Sequence, residues 1–322
     1  MKSDLRIVFM GTPDFAVESL KIILENNYNV VGVITAPDKP AGRGQQLQQS
    51  AVKKYALEKG LTILQPDKLK DEAFLTQLKN LRADLQIVVA FRMLPEVVWN
   101  MPRLGSFNLH GSLLPQYRGA APINWAVING DTETGVTTFF LQHEIDTGKI
   151  IYQEKTPIDE NETAGDIHDR LMIIGANLVL KTLQAIEKGE YPQTEQSQLV
   201  PSTTEIKHAP KIFKDDCRID WSKSLNDIHN KIRGLSPYPT AFTELVSPEG
   251  KVFSIKIFTA HKEPALKNDA LYTISTDSKT YLKVSVKNGY IYIDELQMAG
   301  KKRMRVNEFL RGFPINDQWK AL

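Results

Sequence analysis

The sequence of 322 residues has little cysteine and no long hydrophobic run. Its single cysteine, Cys217, excludes a disulfide within the chain and a cysteine-rich zinc site. The six histidines show no metal-ligand spacing, so we expect no bound metal. No apolar run approaches the roughly 20 residues that span a bilayer, and the N-terminal residues lack the apolar region of a signal peptide. We therefore expect a cytoplasmic protein without a membrane partner.

Net charge is also nearly absent, because 40 Lys and Arg residues offset 38 Asp and Glu residues to give +2. The charge is nevertheless uneven along the chain. Residues 1–206 contain 20 basic and 25 acidic residues, whereas residues 207–322 contain 20 basic and 13 acidic residues. Such asymmetry suggests a polyanionic partner for the basic part. A solvated surface is the alternative, and charge alone does not separate the two.

The composition, 42% apolar and 24% charged, is typical of a soluble globular protein, and the length indicates two domains. There is no internal repeat and no low-complexity segment. We predict an N-terminal domain at 1–190, a linker at 191–209 and a C-terminal domain at 210–322. The linker prediction depends on the loss of apolar periodicity over residues 189–210 and on the three prolines Pro192, Pro201 and Pro210.

The first 110 residues alternate apolar strands with amphipathic helices. We predict strands at 5–10, 30–36, 62–64 and 85–91, and helices at 13–26, 50–59 and 71–81. In the first helix, Thr12 suits the N-cap, Pro13 the first helical position and Asp14 the positive end of the dipole. The alternation predicts an α/β fold with a doubly wound, mostly parallel sheet. Such sheets bind ligands beyond the C-terminal ends of their strands.

The pattern changes after residue 135. Two strands at 136–141 and 149–156 precede a long helix at 164–187. Further along, short alternating runs predict strands at 241–245, 252–258, 271–274, 281–286 and 290–296. Five short strands so close together suit a small barrel or a sandwich.

The segment with the most chemistry-bearing side chains is 106–119. Strand alternation puts Asn108 and His110 on one face, near the C-terminal end of a strand. An amide and an imidazole together stabilise an oxyanion, and the imidazole transfers protons near pH 7. Asp146 would orient that imidazole, so the three residues suit acyl or formyl transfer to a nucleophile of the substrate. A buried structural loop is the alternative interpretation.

Longer motifs surround these residues. The run from Asn108 to Ile123, NLHGSLLPQYRGAAPI, together with Gly135-Val136-Thr137 and Asp146-Thr147-Gly148, resembles the 10-formyltetrahydrofolate-dependent formyltransferases. Further segments resemble the branch of that family that formylates methionyl-tRNA: FMGTPDFA at 9–16, PDKPAGRG at 37–44, RIDW at 218–221, IRGLSPYP at 232–239 and LQMAGKKRM at 296–304.

The resemblance implies a fold, a reaction and partners. The expected fold is a formyltransferase-type, Rossmann-like catalytic domain followed by a small OB-like β-barrel domain that binds tRNA. The expected reaction is direct attack of the methionyl α-amine of charged initiator tRNA on the formyl group of 10-formyltetrahydrofolate, through a tetrahedral intermediate, in support of translation initiation. Asn108 and His110 would stabilise the oxyanion, and Asp146 would hold the imidazole or a water. The resemblance also implies a monomer.

The resemblance further implies a folate site between the chain after strand 85–91 and the loop that contains Asp146. Its predicted residues are Ser112, Leu113, Leu114, Pro115, Phe91, Met93, Leu94, His143 and Glu144. One departure from the family pattern concerns this site. After the strand, the chain is one residue shorter and has Arg92 where the family has a small residue.

The resemblance suggests tRNA contacts in two places, with the predicted residues Arg43, Lys39, Lys301, Lys302 and Arg303. The Gly-Arg-Gly loop at 42–44 would close on tRNA, although a plain surface loop fits the same residues. It is followed by Gln45-Gln46-Leu47-Gln48-Gln49 where the family usually has lysines, which removes positive charge. The basic cluster at 301–305 fits a phosphate contact or a solvated turn.

Two other functions are compatible with parts of the sequence. The first is a formyltransferase or formyltetrahydrofolate hydrolase that acts on a small amine or on water with the same three residues. The basic second part argues against it. The second is a non-catalytic RNA-binding or nucleotide-sensing protein on a doubly wound scaffold. The complete set of Asn108, His110 and Asp146 argues against that function.

Overall fold

The computed structural model describes residues 4–41, 46–201, 203, 205–265 and 270–322. Its helices are α1 (Phe15–Glu25), α2 (Ala51–Glu58), α3 (Glu72–Asn80), α4 (Glu96–Trp99), α5 (Pro122–Ile128), α6 (Ala164–Lys188), α7 (Leu225–Gly234) and α8 (Val306–Gly312), with 3₁₀ turns at Gln196–Gln198 and Asp215–Cys217. Its strands are β1 (Arg6–Gly11), β2 (Asn29–Ile34), β3 (Lys39–Ala41), β4 (Gln46–Gln48), β5 (Ile63–Leu64), β6 (Leu85–Val89), β7 (Ser106–His110), β8 (Arg118–Gly119), β9 (Glu133–Phe140), β10 (Ile150–Pro157), β11 (His208–Ala209), β12 (Ala241–Val246), β13 (Val252–Pro264), β14 (Ile274–Thr276), β15 (Leu282–Val286), β16 (Gly289–Met298), β17 (Met304–Arg305) and β18 (Lys320–Ala321). Within the described residues, no helix combines the length and the apolar character needed to cross a membrane.

Contacts divide the chain into two compact units. The first comprises Met1–Gly119, Gly135–Thr156 and His168–His208, and the second comprises Ala120–Thr134, Pro157–Ile167 and Ala209–Leu322. The second unit therefore takes in two stretches that precede residue 190. The domain boundaries at 190 and 210 stay a prediction.

The first unit is built on a seven-stranded sheet with the order β10-β9-β7-β6-β1-β2-β5. Five adjacent strands run parallel to one another, namely β7, β6, β1, β2 and β5. Strand β9 is antiparallel to β7. All five residues of the central strand β6 are buried, as a strand covered on both faces requires. The doubly wound, mostly parallel sheet predicted from the sequence is confirmed.

The turn from β1 into α1 differs from the prediction. The helix begins at Phe15, and its N-cap is Asp14, whose carboxylate accepts a hydrogen bond from the Phe15 backbone nitrogen at 3.0 Å. The predicted cap at Thr12 and helical start at Pro13 were wrong. Pro13 belongs to the turn before the helix, where its carbonyl accepts the Ala16 amide at 3.1 Å.

Helix α6 packs against one face of the sheet at β7. A Cβ added to Gly175 of α6 would lie 2.7 Å from Cδ2 of Leu109, so the helix backbone approaches the Leu109 side chain closely. Leu109 alternates with Asn108 and His110 along β7. The helix therefore covers the face of β7 opposite to those two side chains.

The second unit contains an antiparallel sheet with the order β14-β15-β16-β13-β12-β18, with β17 paired to β16. A bridge between Thr273 and Lys320 joins its two ends, so the sheet is nearly closed. Helix α7 contributes Ile228 and Ile232 to the apolar core inside it. This arrangement confirms the small OB-like barrel.

One predicted strand of the barrel is misplaced. The sequence indicated a strand at 271–274, but β14 runs from Ile274 to Thr276. Tyr272 has φ +65°, which is incompatible with an extended strand. Leu271 is 46% exposed, so its apolar side chain does not mark a core position.

Candidate active site

Strand β7 carries Asn108 and His110 to the C-terminal edge of the parallel strands. Asn108 is in register with Val88 of β6, and His110 with Thr137 of β9. His110 is buried and Asn108 is half-buried. Strand periodicity places both side chains on one face, as the sequence predicted.

The hydrogen bonding of His110 assigns its tautomer. Nε2 lies 2.8 Å from the carbonyl oxygen of Tyr117. Because a carbonyl only accepts hydrogen bonds, Nε2 carries the proton. Nδ1 of the neutral ring is then a proton acceptor, and it lies 3.9 Å from Oδ2 of Asp146. The site can therefore take up a proton at Nδ1 and stabilise the resulting imidazolium with a carboxylate.

The loop that carries Asp146 takes an unexpected path. It leaves β9 beside the start of β7, where the Leu141 amide donates to the Ser106 carbonyl at 2.8 Å. It then returns to His110 at the far end of β7. Asp146 has φ +55°, and its Oδ2 accepts the Gly119 amide at 2.9 Å. These contacts hold the carboxylate at His110.

Gly148 is required by this path. A Cβ at position 148 would lie 1.7 Å from the carbonyl oxygen of Phe140, closer than any two such atoms approach. The resemblance had identified Asp146-Thr147-Gly148 as a motif. The structure supplies its physical reason, because the return of the loop over β9 leaves no room for a side chain.

The Asn108 amide is available to a ligand. Within the part of the chain that the structure describes, its side chain makes no hydrogen bond to another residue. A half-buried primary amide that no described residue engages is a hydrogen-bond donor held in place by its strand. Asn108 and His110 thus offer two hydrogen-bonding groups on one face.

The turn at 112–115, which we predicted to bind folate, is held by other side chains. The Thr137 hydroxyl donates to the Ser112 carbonyl at 2.7 Å and accepts the Leu114 amide at 3.1 Å. Nε2 of Gln153 donates to the Leu114 carbonyl at 2.9 Å and contacts the Thr137 hydroxyl oxygen at 3.0 Å. Neither Thr137 nor Gln153 was predicted as a site residue. Thr137 had a signal, its place in Gly135-Val136-Thr137, whereas Gln153 had none.

The side chains of this turn point largely into the protein. Leu114 is buried in an apolar cluster with Phe139 and Ile150. The Ser112 hydroxyl donates to the Gln116 carbonyl at 2.6 Å. Pro115 is buried, while Leu113 is half-buried. The geometry gives the turn a fixed shape, and Leu113 is its most exposed residue.

The other predicted folate residues lie in two loops. Phe91 and Leu94, after β6, pack against the same apolar cluster as Leu141 at the start of the Asp146 loop. Met93 is 73% exposed, and His143 and Glu144 are exposed. The structure therefore brings the first residues of both loops together in one apolar cluster.

Arg92 has a structural role in the shorter loop. Its Nη1 donates to the Asp67 carbonyl at 2.8 Å, and Nη2 donates to the Pro66 carbonyl. The guanidinium also lies 5.8 Å from the centroid of the Phe91 ring. Arg92 thus connects the chain after β6 to the chain after β5.

The predicted tRNA-binding residues have different surroundings. Arg43 lies outside the described residues. Lys39 is exposed at the start of the β3–β4 hairpin. Lys301 and Lys302 are exposed between β16 and β17, and neither forms an ion pair with any described residue. Arg303 is paired with Glu295, so it is not equivalent to Lys301 and Lys302.

The stem of the hairpin is also ion-paired. Lys53 Nζ lies 2.6 Å from Oδ2 of Asp38, and Gln65 donates to Oδ1 at 2.9 Å. A hydrogen bond from Lys53, which has the larger effect, and one from Gln65 lower the pKa of Asp38.

Among the described residues, no group of three or more His, Cys, Asp and Glu side chains could hold a metal ion.

The chain is similar to known proteins over most of its length. The family model "Formyl transferase" matches residues 5–183, and "Formyl transferase, C-terminal domain" matches residues 211–314. The methionyl-tRNA formyltransferase of Parabacteroides distasonis is 61% identical over 313 residues, which cover 97% of each chain. That of Bacteroides thetaiotaomicron is 59% identical over 319 residues, 99% of each chain.

Solved structures share the fold at lower identity. The sugar 3N-formyl transferase WlaRD, solved in the presence of dTDP and 5-N-formyl-THF, has a TM-score of 0.63 and 22% identity. The match covers 93% of this chain and 100% of WlaRD. HypX from Aquifex aeolicus in complex with tetrahydrofolic acid has a TM-score of 0.62 and 18% identity, over 96% of this chain and 47% of HypX. At these sequence identities, the two comparisons show a shared fold and nothing about substrates.

Proposed function

The chain belongs to the formyl transferase family, and we propose that it transfers the formyl group of 10-formyltetrahydrofolate to the α-amine of methionyl initiator tRNA, in support of translation initiation. The observation that carries the proposal is the assembly of Asn108, His110 and Asp146 at one edge of the sheet. The 61% identity to a methionyl-tRNA formyltransferase over nearly the whole chain supports the choice of acceptor.

Both steps of the transfer follow from the hydrogen-bond donors and acceptors of the site. The Asn108 amide donates to the formyl oxygen as negative charge grows on it. Nδ1 of His110 takes the proton that the amine loses when its nitrogen forms the new bond to the formyl carbon. Asp146 stabilises the imidazolium formed in this way. The imidazolium then donates from Nδ1, and its proton passes to the departing nitrogen as the old carbon–nitrogen bond breaks.

Among the residues that the structure describes, no hydroxyl or thiol is paired to His110, which supports direct attack by the substrate amine. The Ser112 hydroxyl is turned to the Gln116 carbonyl, and the Thr137 hydroxyl to the Ser112 carbonyl. Cys217 belongs to the second unit, is buried, and has a pKa raised by that burial. Covalent catalysis by Ser, Thr or Cys would require a hydroxyl or thiol paired to His110.

The surroundings fit a flat, partly apolar co-substrate such as a formylated pterin. Met93 and Ile145 expose 73% and 60% of their surfaces. Met93 belongs to the loop after β6 and Ile145 to the loop of Asp146, and the first residues of both loops pack on one apolar cluster. Exposed apolar side chains beside convergent polar groups are typical of ligand sites. We propose that both loops contact the co-substrate.

We propose that Lys301 and Lys302 contact tRNA phosphates. Both are exposed, and the sequence from residue 207 onward carries 20 basic against 13 acidic residues. Unpaired lysines on a basic region supply the sequence-independent part of nucleic-acid binding. Arg303 contributes less in this proposal, because Glu295 already neutralises it.

The experiment is formyl transfer in vitro from 10-formyltetrahydrofolate to methionyl initiator tRNA, followed by product analysis. We expect formylmethionyl-tRNA from the unaltered protein. Under the same conditions, the variant His110→Ala should lose most of its turnover. Uncharged tRNA and free methionine serve as controls and should yield little product. Turnover with water or with an amino sugar, without product on charged tRNA, would overturn the proposal in favour of a hydrolase or a small-molecule formyltransferase.

A further inference from the structure

Gln196 is a buried polar side chain that the mechanism above does not use. It starts the 3₁₀ turn Gln196–Gln198, inside the segment that the sequence predicted as a linker, and it is 4% exposed. Its Nε2 donates to the carbonyls of Asp146, at 2.8 Å, and Gly148, at 2.9 Å. Its Oε1 accepts from Nε and Nη2 of Arg118, at 3.1 and 2.6 Å. Both amide protons and the amide oxygen are therefore engaged.

Arg118 connects Gln196 to the supports of His110 and Asp146. The preceding residue, Tyr117, supplies the carbonyl that binds Nε2 of His110. The following residue, Gly119, supplies the amide that binds the Asp146 carboxylate. Gln196 thus joins the backbone that orients the imidazole to the loop that carries the carboxylate.

The 3₁₀ turn is itself anchored next to this loop. Thr194 and Ile150 exchange two backbone hydrogen bonds of 2.9 Å. Ile150 begins β10, directly after the Asp146 loop. The anchor holds Gln196 at a fixed distance from the carbonyls it binds.

The backbone of Asp146 needs such support. A non-glycine residue at φ +55° is in the sparsely populated left-handed region, which persists when its surroundings hold it. The carbonyl of Asp146 bonds to Gln196 and its carboxylate bonds to Gly119, so two contacts from separate segments oppose relaxation.

We infer that Gln196 is a positioning residue for formyl transfer: through Arg118 and the carbonyls of Asp146 and Gly148 it sets the alignment of Asp146 with His110. It touches neither substrate nor reacting atoms. The inference rests on the proposed function of His110 and Asp146. Removal of Gln196 should leave the substrates bound and misplace the carboxylate, because the loop loses two donors at once.

The test compares Gln196→Met, Gln196→Glu and the control Gln198→Met, an exposed neighbour in the same 3₁₀ turn. Since a misplacement of about 1 Å can cost roughly 10² in rate, we expect kcat to fall at least tenfold in Gln196→Met, with KM for both substrates within twofold. Gln196→Glu keeps the size and the acceptor for Arg118 but lacks both donors, so its kcat should fall as well. The pH profile of kcat should change in both variants, and Gln198→Met should match the unaltered protein.

Two further measurements separate positioning from general loss of structure. Arg118→Met should lower kcat similarly, and the double variant with Gln196→Met should cost no more than the larger single effect. The ring ¹⁵N resonances of His110, which need no turnover, should move in Gln196→Met and stay in Gln198→Met.

Unaltered kcat and unaltered His110 resonances in folded Gln196→Met or Gln196→Glu would overturn the inference, and so would an effect on KM alone. If Gln196→Met does not fold, Gln196→Glu and the single variant Arg118→Met decide the question. Absence of methionyl-tRNA formylation in the unaltered protein would instead contradict the proposed function, and the ¹⁵N measurement would still test the alignment of Asp146 with His110.

Discussion

Oδ2 of Asp146 lies 3.9 Å from Nδ1 of His110, on the side of the ring opposite to the nitrogen that binds the Tyr117 carbonyl. The carbonyl keeps a proton on Nε2, so a second proton can enter only at Nδ1, beside the carboxylate. The same carboxylate oxygen accepts the Gly119 amide. In the proposed reaction, His110 would therefore receive one proton and release it from the same atom, Nδ1.

His110→Ala should lower kcat by roughly 10² or more, a usual effect of losing a proton-transfer group. The substrates still have their other contacts, so KM should change little. His208→Ala, which removes an exposed histidine of the same unit, is the control. Steady-state kinetics with charged tRNA checks the prediction, and an unchanged kcat would remove His110 from the mechanism.

Asn108→Ala should lower kcat by about 10²–10³, because the side chain supplies a donor that counts only when charge develops on the formyl oxygen. Asn108→Asp keeps the volume and removes the donor, so it should be equally slow. The matched control is Asn80→Ala at the exposed end of α3. A normal kcat in Asn108→Asp would show that the amide does not act on the oxyanion.

Gly148→Ala should reduce both stability and kcat. The added Cβ would lie 1.7 Å from the Phe140 carbonyl oxygen, so the loop has to move and Asp146 moves with it. We expect a loss of about 1–3 kcal/mol in the free energy of unfolding, as for other overpacked sites. Gly312→Ala, where a Cβ meets nothing within 4 Å, is the control. Urea denaturation and kcat together check the prediction, and a fully active, stable Gly148→Ala would contradict the observed loop path.

Removal of charge from Lys301 and Lys302 should raise KM for methionyl-tRNA and flatten its salt dependence. Each phosphate contact contributes about 0.9 to the slope of log K against log salt, so the double alanine variant should lower that slope by about 2. Lys251 and Lys287, exposed lysines of the same unit, provide the control pair. An unaltered slope would assign Lys301 and Lys302 to a solvated surface.

His229 should make stability depend on pH. Burial, followed by the charges of Lys262 and Arg233, lowers its pKa from 6.5 to about 4. Between these values the unfolded chain binds a proton that the folded chain does not, so the free energy of unfolding falls as pH falls. The contribution lost between pH 7 and pH 5 is about 2 kcal/mol.

The measurement is urea denaturation at both pH values for the unaltered protein and for His229→Gln, which can still donate to the Ala260 carbonyl that Nε2 contacts. The variant should lose about 2 kcal/mol less than the unaltered protein. His208→Gln, at an exposed histidine, should keep the full dependence. If His229→Gln and the unaltered protein respond equally to pH, protonation of His229 is not coupled to unfolding.

Local patterns were sufficient for the order of the main strands and helices around the first sheet, whereas short elements such as α4 and α5 were not predicted. Continuous apolar runs such as Leu85–Val89 indicated buried parallel strands, because strands covered on both faces have no polar side. The period of two along β7 put Asn108 and His110 on one face before any tertiary contact was known. Element ends were less certain: the cap at Asp14 and the start of β14 depend on which backbone groups find partners in the folded chain.

Periodicity within short segments of the sequence thus determined the mostly parallel sheet and the common face of Asn108 and His110 on β7, while it left the second unit open between a barrel and a sandwich. Tertiary structure decided which distant groups meet them. The return of the loop to His110, the engagement of Gln196 with Asp146 and the pairing of Arg303 with Glu295 each join segments with no common period. Such contacts depend on the path of the chain in space, because a buried polar group forms hydrogen bonds with the partners that the fold places near it.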